Sequence, residues 1–391
     1  MKTTILFAVL LASAAFAKPQ PGLPFLLIWP TARSTALAGA MTGLADDPDA
    51  AFFNPAGLAF QTGIGVTGSY VSWLPGLYPG MHFAHMAAGF NNADPVAGSG
   101  HWAFGLEVSA IDFGPPCCVL DLWPPNTDVW DGEFGLSASR SFGKNLSVGA
   151  KAKFIRSYLV PDWVWKSMPE LGIEAGGTGT TWAADVGALW KPSTSFSLGG
   201  SVANLGPAIT YASSGQHDPL PTILRLGASW TPVNKRHVCV NVLPEFDKML
   251  VGMFFDTADT KTFGEELRAE LRDVWKALAI EVTGYEILSI RLGYFEDRTW
   301  QRGGLVFKNR HGETYHYALY DLLTWRNLGK LESVGLCWGF GIGYKNYFRI
   351  DVSSDAAIYD FPTSNWKLSL VANDIAGGIR ELKQGHVPWE E

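Results

Sequence analysis

The feature that most constrains this chain is a two-residue alternation that returns about fourteen times. Trp102, Phe104, Leu106, Val108 and Ala110 alternate with Ala103, Gly105, Glu107 and Ser109. The same rhythm runs through 146–154, with Lys151 and Lys153 on the second face, through 182–190, with Asp185, and through 334–343. Strand side chains point to opposite faces in turn, so each stretch has one apolar face and one small or charged face. The apolar faces run about nine to eleven residues, enough to cross a bilayer at a tilt.

Loop lengths separate a membrane barrel from a soluble sandwich. Strands are read near 64–74, 81–91, 101–112, 130–142, 145–157, 179–191, 194–205, 222–233, 236–246, 276–283, 287–295, 334–344, 347–354 and 366–373. Short connections fall at Gly143-Lys144, Pro192-Ser193, Asn234-Lys235, Gly284-Tyr285-Glu286 and Lys345-Asn346; long ones fall at 113–129, 158–178, 206–221, 247–275, 296–333 and 355–365. Alternate connections of an up-and-down barrel share one end, and outer-membrane barrels have short periplasmic turns and long external loops. The expected fold is therefore all-β, a transmembrane antiparallel up-and-down barrel of about fourteen strands. Both termini are expected on the periplasmic side, and Glu107, Lys151 and Asp185 are expected in a lumen where water solvates them.

Composition agrees. Charged residues are 17% of the chain, below the roughly 25% of ordinary globular proteins. Sixteen tryptophans suit the two membrane–water interfaces. A net charge of −7 argues against a nucleic-acid partner. Residues 1–17, one lysine followed by an apolar run and Ala15-Phe16-Ala17, read as a cleaved signal peptide. A proline-rich linker at 18–31 follows, then one barrel domain over 32–391: a plug at 32–59, the barrel at 63–373 and a tail at 374–391.

Ala32 to Ala59 is the long N-terminal stretch that does not alternate. A short helix is expected from Ser34, as N-cap, to Ala45, ended by Pro48. Ala50 to Phe53 adds a turn, and Asn54-Pro55-Ala56-Gly57 breaks the chain again. Arg33, Asp46 and Asp47 are costly against lipid, so this segment is expected inside the lumen as a small helical plug. Arg33, Asp46, Asp47, Asn54, Pro55 and Gly57 are its structural and gating residues, and Asn54-Pro55 fixes the exit into the strand at Gly63.

The pattern R-x-x-A-L-A-G-A-M-x-G-L-A-D-D-P-x-A from Arg33, with F-F-N-P-A-G-L-A from Phe52, resembles the N-terminal signature of the PorV/PorQ family. Those are outer-membrane barrels related to the FadL type and associated with type IX secretion. Asp185-Val186-Gly187, the run from Ser197 to Gly206, Leu224 to Ser229 and Arg291 to Glu296 are similar to later segments of the same family. Gln301 to Glu332 departs from it as an insertion, read as a hairpin above the membrane, and the tail lacks a terminal aromatic. The resemblance implies a component of type IX protein secretion in the bacterial outer membrane that receives or shuttles cargo, with the translocon and secreted proteins as partners beside membrane lipid. The alternative it implies is a FadL-like transporter of hydrophobic small molecules.

Chemistry is sparse. His82 and His85 are three apart on a strand and point to opposite faces. Cys117-Cys118 lie in an external loop, and Cys239 and Cys337 on strands, with no C-x-x-C spacing. No nucleophile elbow or phosphate-binding loop occurs. The reading is non-enzymatic, without metal or cofactor. Thr262 to Lys276 reads as an amphipathic helix, opened by a Thr262/Glu265 capping box, whose stripe Phe263, Leu267, Leu271 and Val274 is expected to pack as a lid on the barrel mouth, with a partner-docking helix as the alternative.

Overall fold

The computed structural model describes residues 20–75, 80–91, 101–114, 129–160, 176–211, 217–235, 237–254, 262–299, 302–308, 311–317, 330–356 and 365–384. The signal-peptide reading at 1–17 and the Cys117-Cys118 pair lie outside these residues.

Fourteen antiparallel strands among them close into one barrel. In chain order these are β1 (Gly63–Ser72), β2 (His82–Asn91), β3 (Trp102–Asp112), β4 (Trp130–Phe142), β5 (Leu146–Tyr158), β6 (Thr178–Ser193) and β7 (Phe196–Leu205). They continue as β8 (Ile223–Lys235), β9 (Val238–Met249), β10 (Trp275–Gly284), β11 (Leu288–Asp297), β12 (Leu336–Tyr344), β13 (Phe348–Ser354) and β14 (Trp366–Ala372). Each strand pairs with its sequence neighbours, and β14 closes on β1 with Ser369 opposite Ser69.

The barrel is turned inside out relative to a soluble protein. Phe104, Leu136, Phe154, Leu226, Ile280, Leu292, Phe340 and Leu370 face outward and are exposed. Tyr70, Trp182 and Trp366 stand exposed near the long-loop end, and Trp102, Trp190 and Trp230 near the short-turn end. An apolar belt between two aromatic girdles is the surface a bilayer selects. No described helix is long and apolar enough to cross a membrane.

The inward face is polar, and around Glu107, Lys151 and Asp185 it is buried, which differs from the expectation that water solvates these charges. Lys151 Nζ lies 2.9 Å from both Glu107 and Asp185, and Lys153 Nζ lies 3.0 Å from Asp185. These groups are buried because the N-terminal segment fills the space around them. They neutralise one another across β3, β5 and β6, as charges removed from water must.

The plug is longer than the sequence reading gave. Residues 23–31, expected as linker, are buried with it: Leu23, Phe25, Leu26 and Ile28 pack on Val71, Phe83, Ile111 and Ile155 near the long-loop end. The apolar run L-P-F-L-L-I-W is the reason. The segment then descends the lumen, with Leu37 and Met41 on Leu243 and Ala279, and Leu58 near Ala103 and Leu189. It leaves into β1 at the short-turn end. The described N-terminal end therefore sits at the long-loop mouth, not at the periplasmic end as expected for both termini. The described C-terminal end does lie at the short-turn end, as helix Ile375–Gln384.

Local chemistry sets the plug's shape. Helix α1 (Ala32–Ala36) is capped by Thr31 in a capping box with Ser34, so Ser34 is the third helical residue rather than the cap. It stops after one turn and not at Ala45, because Ala38 and Gly39 take positive φ (53° and 80°). Helix α2 (Ala50–Phe53) follows, then a 3-10 turn, Pro55–Phe60. An irregular backbone at membrane depth must find partners for its carbonyls. Wall serines supply them: Ser69 Oγ donates to the Pro30 carbonyl (2.5 Å), Ser147 to Ala56 (2.8 Å), Ser197 to Gly43 (2.6 Å) and Ser201 to Phe53 (2.7 Å). Small wall residues let the plug approach. A side chain at Gly187 would overlap Asn54, and one at Gly199 would overlap the Thr42 carbonyl.

Two outer elements differ from expectation. Helix α3 (Phe263–Arg272) has the Thr262/Glu265 capping box, but Phe263 and Leu271 are 69% and 61% exposed, so the stripe does not pack on the mouth. Glu270 ties the helix to Lys248, next to outward-facing Phe246 on β9. In the insertion, Leu305–Lys308 pairs with Thr314–Tyr317 as a hairpin and also with Lys330–Val334, giving three strands.

Candidate functional site

Spaces lie at both ends of the plug. At the long-loop end is a cavity of about 240 Å³, walled by plug residues Phe25, Leu27, Ile28 and Trp29 and by Trp73, Met81, Ile111, Phe113, Trp275 and Phe295 from the barrel and its loops. Trp29 meets Phe295 edge-on (centroids 5.0 Å, 87°), and Phe295 meets Trp275 in the same manner (6.0 Å, 77°). These are favourable aromatic geometries that hold the wall rigid. The Trp29 indole lies against Gly39, where a side chain would overlap its Nε1. Three polar groups complete the lining: Arg302, Asp355 and Lys367. The Arg302 guanidinium covers Trp275 and Phe295 at 5.7 and 5.8 Å. Buried Lys367 donates to the Trp29 carbonyl and to Thr35 Oγ1 (2.9 Å), with its ammonium over the Trp73 ring at 5.4 Å.

At the short-turn end are two polar spaces of about 320 and 460 Å³. Both are bordered by Arg33, Asp46, Glu286, Lys345, Asn346 and Arg349. They form a vestibule beneath the plug. Helix α1 separates the two ends, with Thr35 at the aromatic cavity's floor through Lys367 and Arg33 at the vestibule.

Between them runs a closed ring of six alternating charges. Arg33 holds Glu281 through Nη2 (2.8 Å) and Nε (3.0 Å), and holds Asp47 through Nη1 (2.8 Å). Glu281 accepts from Arg291 Nε (2.6 Å), and Arg291 donates to Asp351 (2.7 Å). Asp351 accepts from Arg349 Nε (2.6 Å), and Arg349 Nη2 returns to Asp47 at 3.4 Å. Asp46 hangs from Arg33 at 2.6 Å, its side chain 40% exposed to the vestibule. Two ring members come from the plug; four come from β10, β11 and β13. A second tether joins Thr42, through N–H (2.9 Å) and Oγ1 (2.6 Å), to Glu245 on β9.

The motif residues read from sequence fall into two groups. Arg33 and Asp47 form the plug's part of the ring, with Asp46 attached to Arg33. Asn54 donates to the Thr42 carbonyl (3.1 Å) and across to the Ala188 carbonyl on β6 (3.0 Å), while its Oδ1 accepts from Ala56 N–H (3.2 Å). Pro55 opens the 3-10 turn, and Gly57 sits where a side chain would overlap the Ala45 carbonyl. His82 stacks outside on Tyr70, and His85 faces inward to Ser109 (2.9 Å) and Asp49 (3.4 Å). Sequence reasoning missed the aromatic cavity and the wall half of the ring. One signal was present: Glu281, Arg291, Asp351 and Lys367 are each charged residues at an inward position of an alternating strand.

No protein-family model matches the chain, and no curated protein matches it. Among solved structures it is similar to the toluene transporter TodX of Pseudomonas putida (12% identity, 87% of this chain and 97% of that one, TM-score 0.47). It is also similar to the monoaromatic hydrocarbon channel CymD (12% identity, 89% and 98%, TM-score 0.46). A FadL homologue of Pseudomonas aeruginosa is a third (13% identity, 88% and 98%, TM-score 0.41). At these values the likeness is one of barrel architecture.

Proposed function

We propose that this barrel is a plugged outer-membrane conduit for small hydrophobic molecules. The observation that carries the reading is the aromatic cavity, whose wall is partly plug and partly barrel. Concave, mostly apolar spaces with a few placed polar groups are the usual form of small-molecule sites. An apolar cavity of about 150 Å³ suffices for benzene, so about 240 Å³ suits a single-ring or short-chain molecule. A ligand there touches Trp29 and lies against the same segment that carries Arg33. Seating it shifts the plug, and movement of α1 opens a path to the vestibule. In this reading Arg33, Asp46, Asp47, Asn54, Pro55 and Gly57 hold and position the gate.

The test is binding of toluene and of short alkanes to the detergent-solubilised protein, followed by tryptophan fluorescence. Saturable quenching that Phe295→Ala weakens supports the reading; no saturable response contradicts it. Reception of secreted cargo at a type IX translocon rests on the motif resemblance alone. Translocon components co-purifying from native membranes are the observation that favours it.

A further inference from the structure

We infer that the C-terminal helix α4 (Ile375–Gln384) is a lipid-docking helix, seated on the phospholipid leaflet at the short-turn rim. Its position comes first. Gly378 packs on the ring of Phe348 and on Tyr347 Cβ, so close that an added Cβ would lie 2.8 Å from each. Phe348 shares the outward face of β13 with Ile350 and Val352, which are exposed in the apolar belt. Lys345 in the preceding turn pairs with Glu381 at 3.0 Å. The helix therefore lies against the outside of the rim rather than under the lumen.

Its exposed face comes second. At about 100° per residue, Ile375, Ile379 and Leu382 fall within about 60° of one another, beside the packed face of Gly377, Gly378 and Glu381. Ile379 is 44% and Leu382 53% exposed. Ile64 on β1, the strand the helix contacts, Ile350 on β13 and Leu370 on β14 are exposed, so this stripe extends the lipid-facing belt. Exposed Arg380 and Lys383 flank it on the side away from the barrel. An apolar stripe bordered by basic residues is the pattern of a helix lying in a bilayer interface, with its cations at the phosphates. The occupant that continuity and charge select is phospholipid. Docking also steadies the Lys345–Tyr347 turn, which borders the vestibule.

The experiment uses the full barrel in nanodiscs of phosphatidylethanolamine and phosphatidylglycerol, on a cysteine-free background. Nitroxides are placed through Ile379→Cys, Leu382→Cys and Gln384→Cys, and their collisions with oxygen and with a water-soluble nickel chelate are compared. Labels at 379 and 382 should favour oxygen and the label at 384 the chelate. Gly378→Leu, which pushes the helix off Phe348, should reduce the oxygen preference at 382 while the barrel stays heat-modifiable on gels. Chelate access at all three positions overturns the inference, because the stripe then faces water. Protection from both reagents at 379 and 382 also overturns it, because a protein then covers the stripe.

Discussion

Arg33 of the plug grips Glu281 of the wall with two parallel hydrogen bonds, 2.8 Å and 3.0 Å long, where the two side chains are 5% and 4% exposed. Removing one partner of a buried ion pair costs about 3–5 kcal/mol, because the other charge stays behind unpaired. Arg33→Ala takes the partner from Asp46 and leaves Glu281 to Arg291 and Asp47 to the longer contact with Arg349. The expected result is a barrel still resistant to detergent at room temperature, with higher ion conductance in planar bilayers. The Arg33→Ala/Glu281→Ala pair should lose less stability than the two single changes added together. Strict additivity removes the grip from the account.

Gly199 tests whether the plug depends on close approach to the wall. Any side chain there meets the Thr42 carbonyl, and overpacking typically costs about 1–3 kcal/mol. Gly199→Val should relieve this by moving the plug rather than the strand, since β7 is held on both sides by β6 and β8. Limited proteolysis should then cut within 40–54 in the variant and not in the wild type. Equal protection in both sinks the prediction.

The aromatic wall has a size requirement. Trp275→Ala removes an edge contact to Phe295 and one side of the cavity. A loss of at least tenfold in toluene affinity is expected, about 1.4 kcal/mol. Trp230→Ala, on the lipid face at the other end, should leave affinity unchanged. Equal effects of the two changes place the ligand elsewhere.

Sidedness follows from the plug's direction. With the short turns in the periplasm, Gln20 opens to the cell surface and Gln384 to the periplasm. On a cysteine-free background, Gln20→Cys should react with an impermeant maleimide on intact cells, and Gln384→Cys after the envelope is opened. The reverse pattern inverts the topology.

The barrel was legible because lipid imposes a local rule. Residues such as Trp102, Phe104 and Leu106 announce their face by period alone, and turns such as Gly143-Lys144 sort the connections; all fourteen strands fall within a few residues of expectation. The plug's path was not legible. The apolar run from Leu23 to Trp29 calls for burial but does not say where, and Leu37 ends α1 because Ala38 and Gly39 must clear Trp29 and β11. The ring was hidden for a related reason. Arg33 and Glu281 are 248 residues apart, and the alternation shows that Glu281 points inward without naming its partner. Asn54 was found by its turn chemistry, but its bond to Ala188 on β6 had no sequence signal.

The most direct test is uptake of a radiolabelled single-ring hydrocarbon by intact cells whose outer membrane is otherwise a barrier to it. Cells carrying the wild-type barrel, the Trp275→Ala/Phe295→Ala variant, the Arg33→Ala variant or no barrel are compared at equal surface expression. The account predicts saturable uptake with the wild type, loss of saturation without the two aromatics, and faster but less selective entry without Arg33. Wild-type uptake equal to that of cells without the barrel, or undiminished when the aromatic wall is removed, contradicts it.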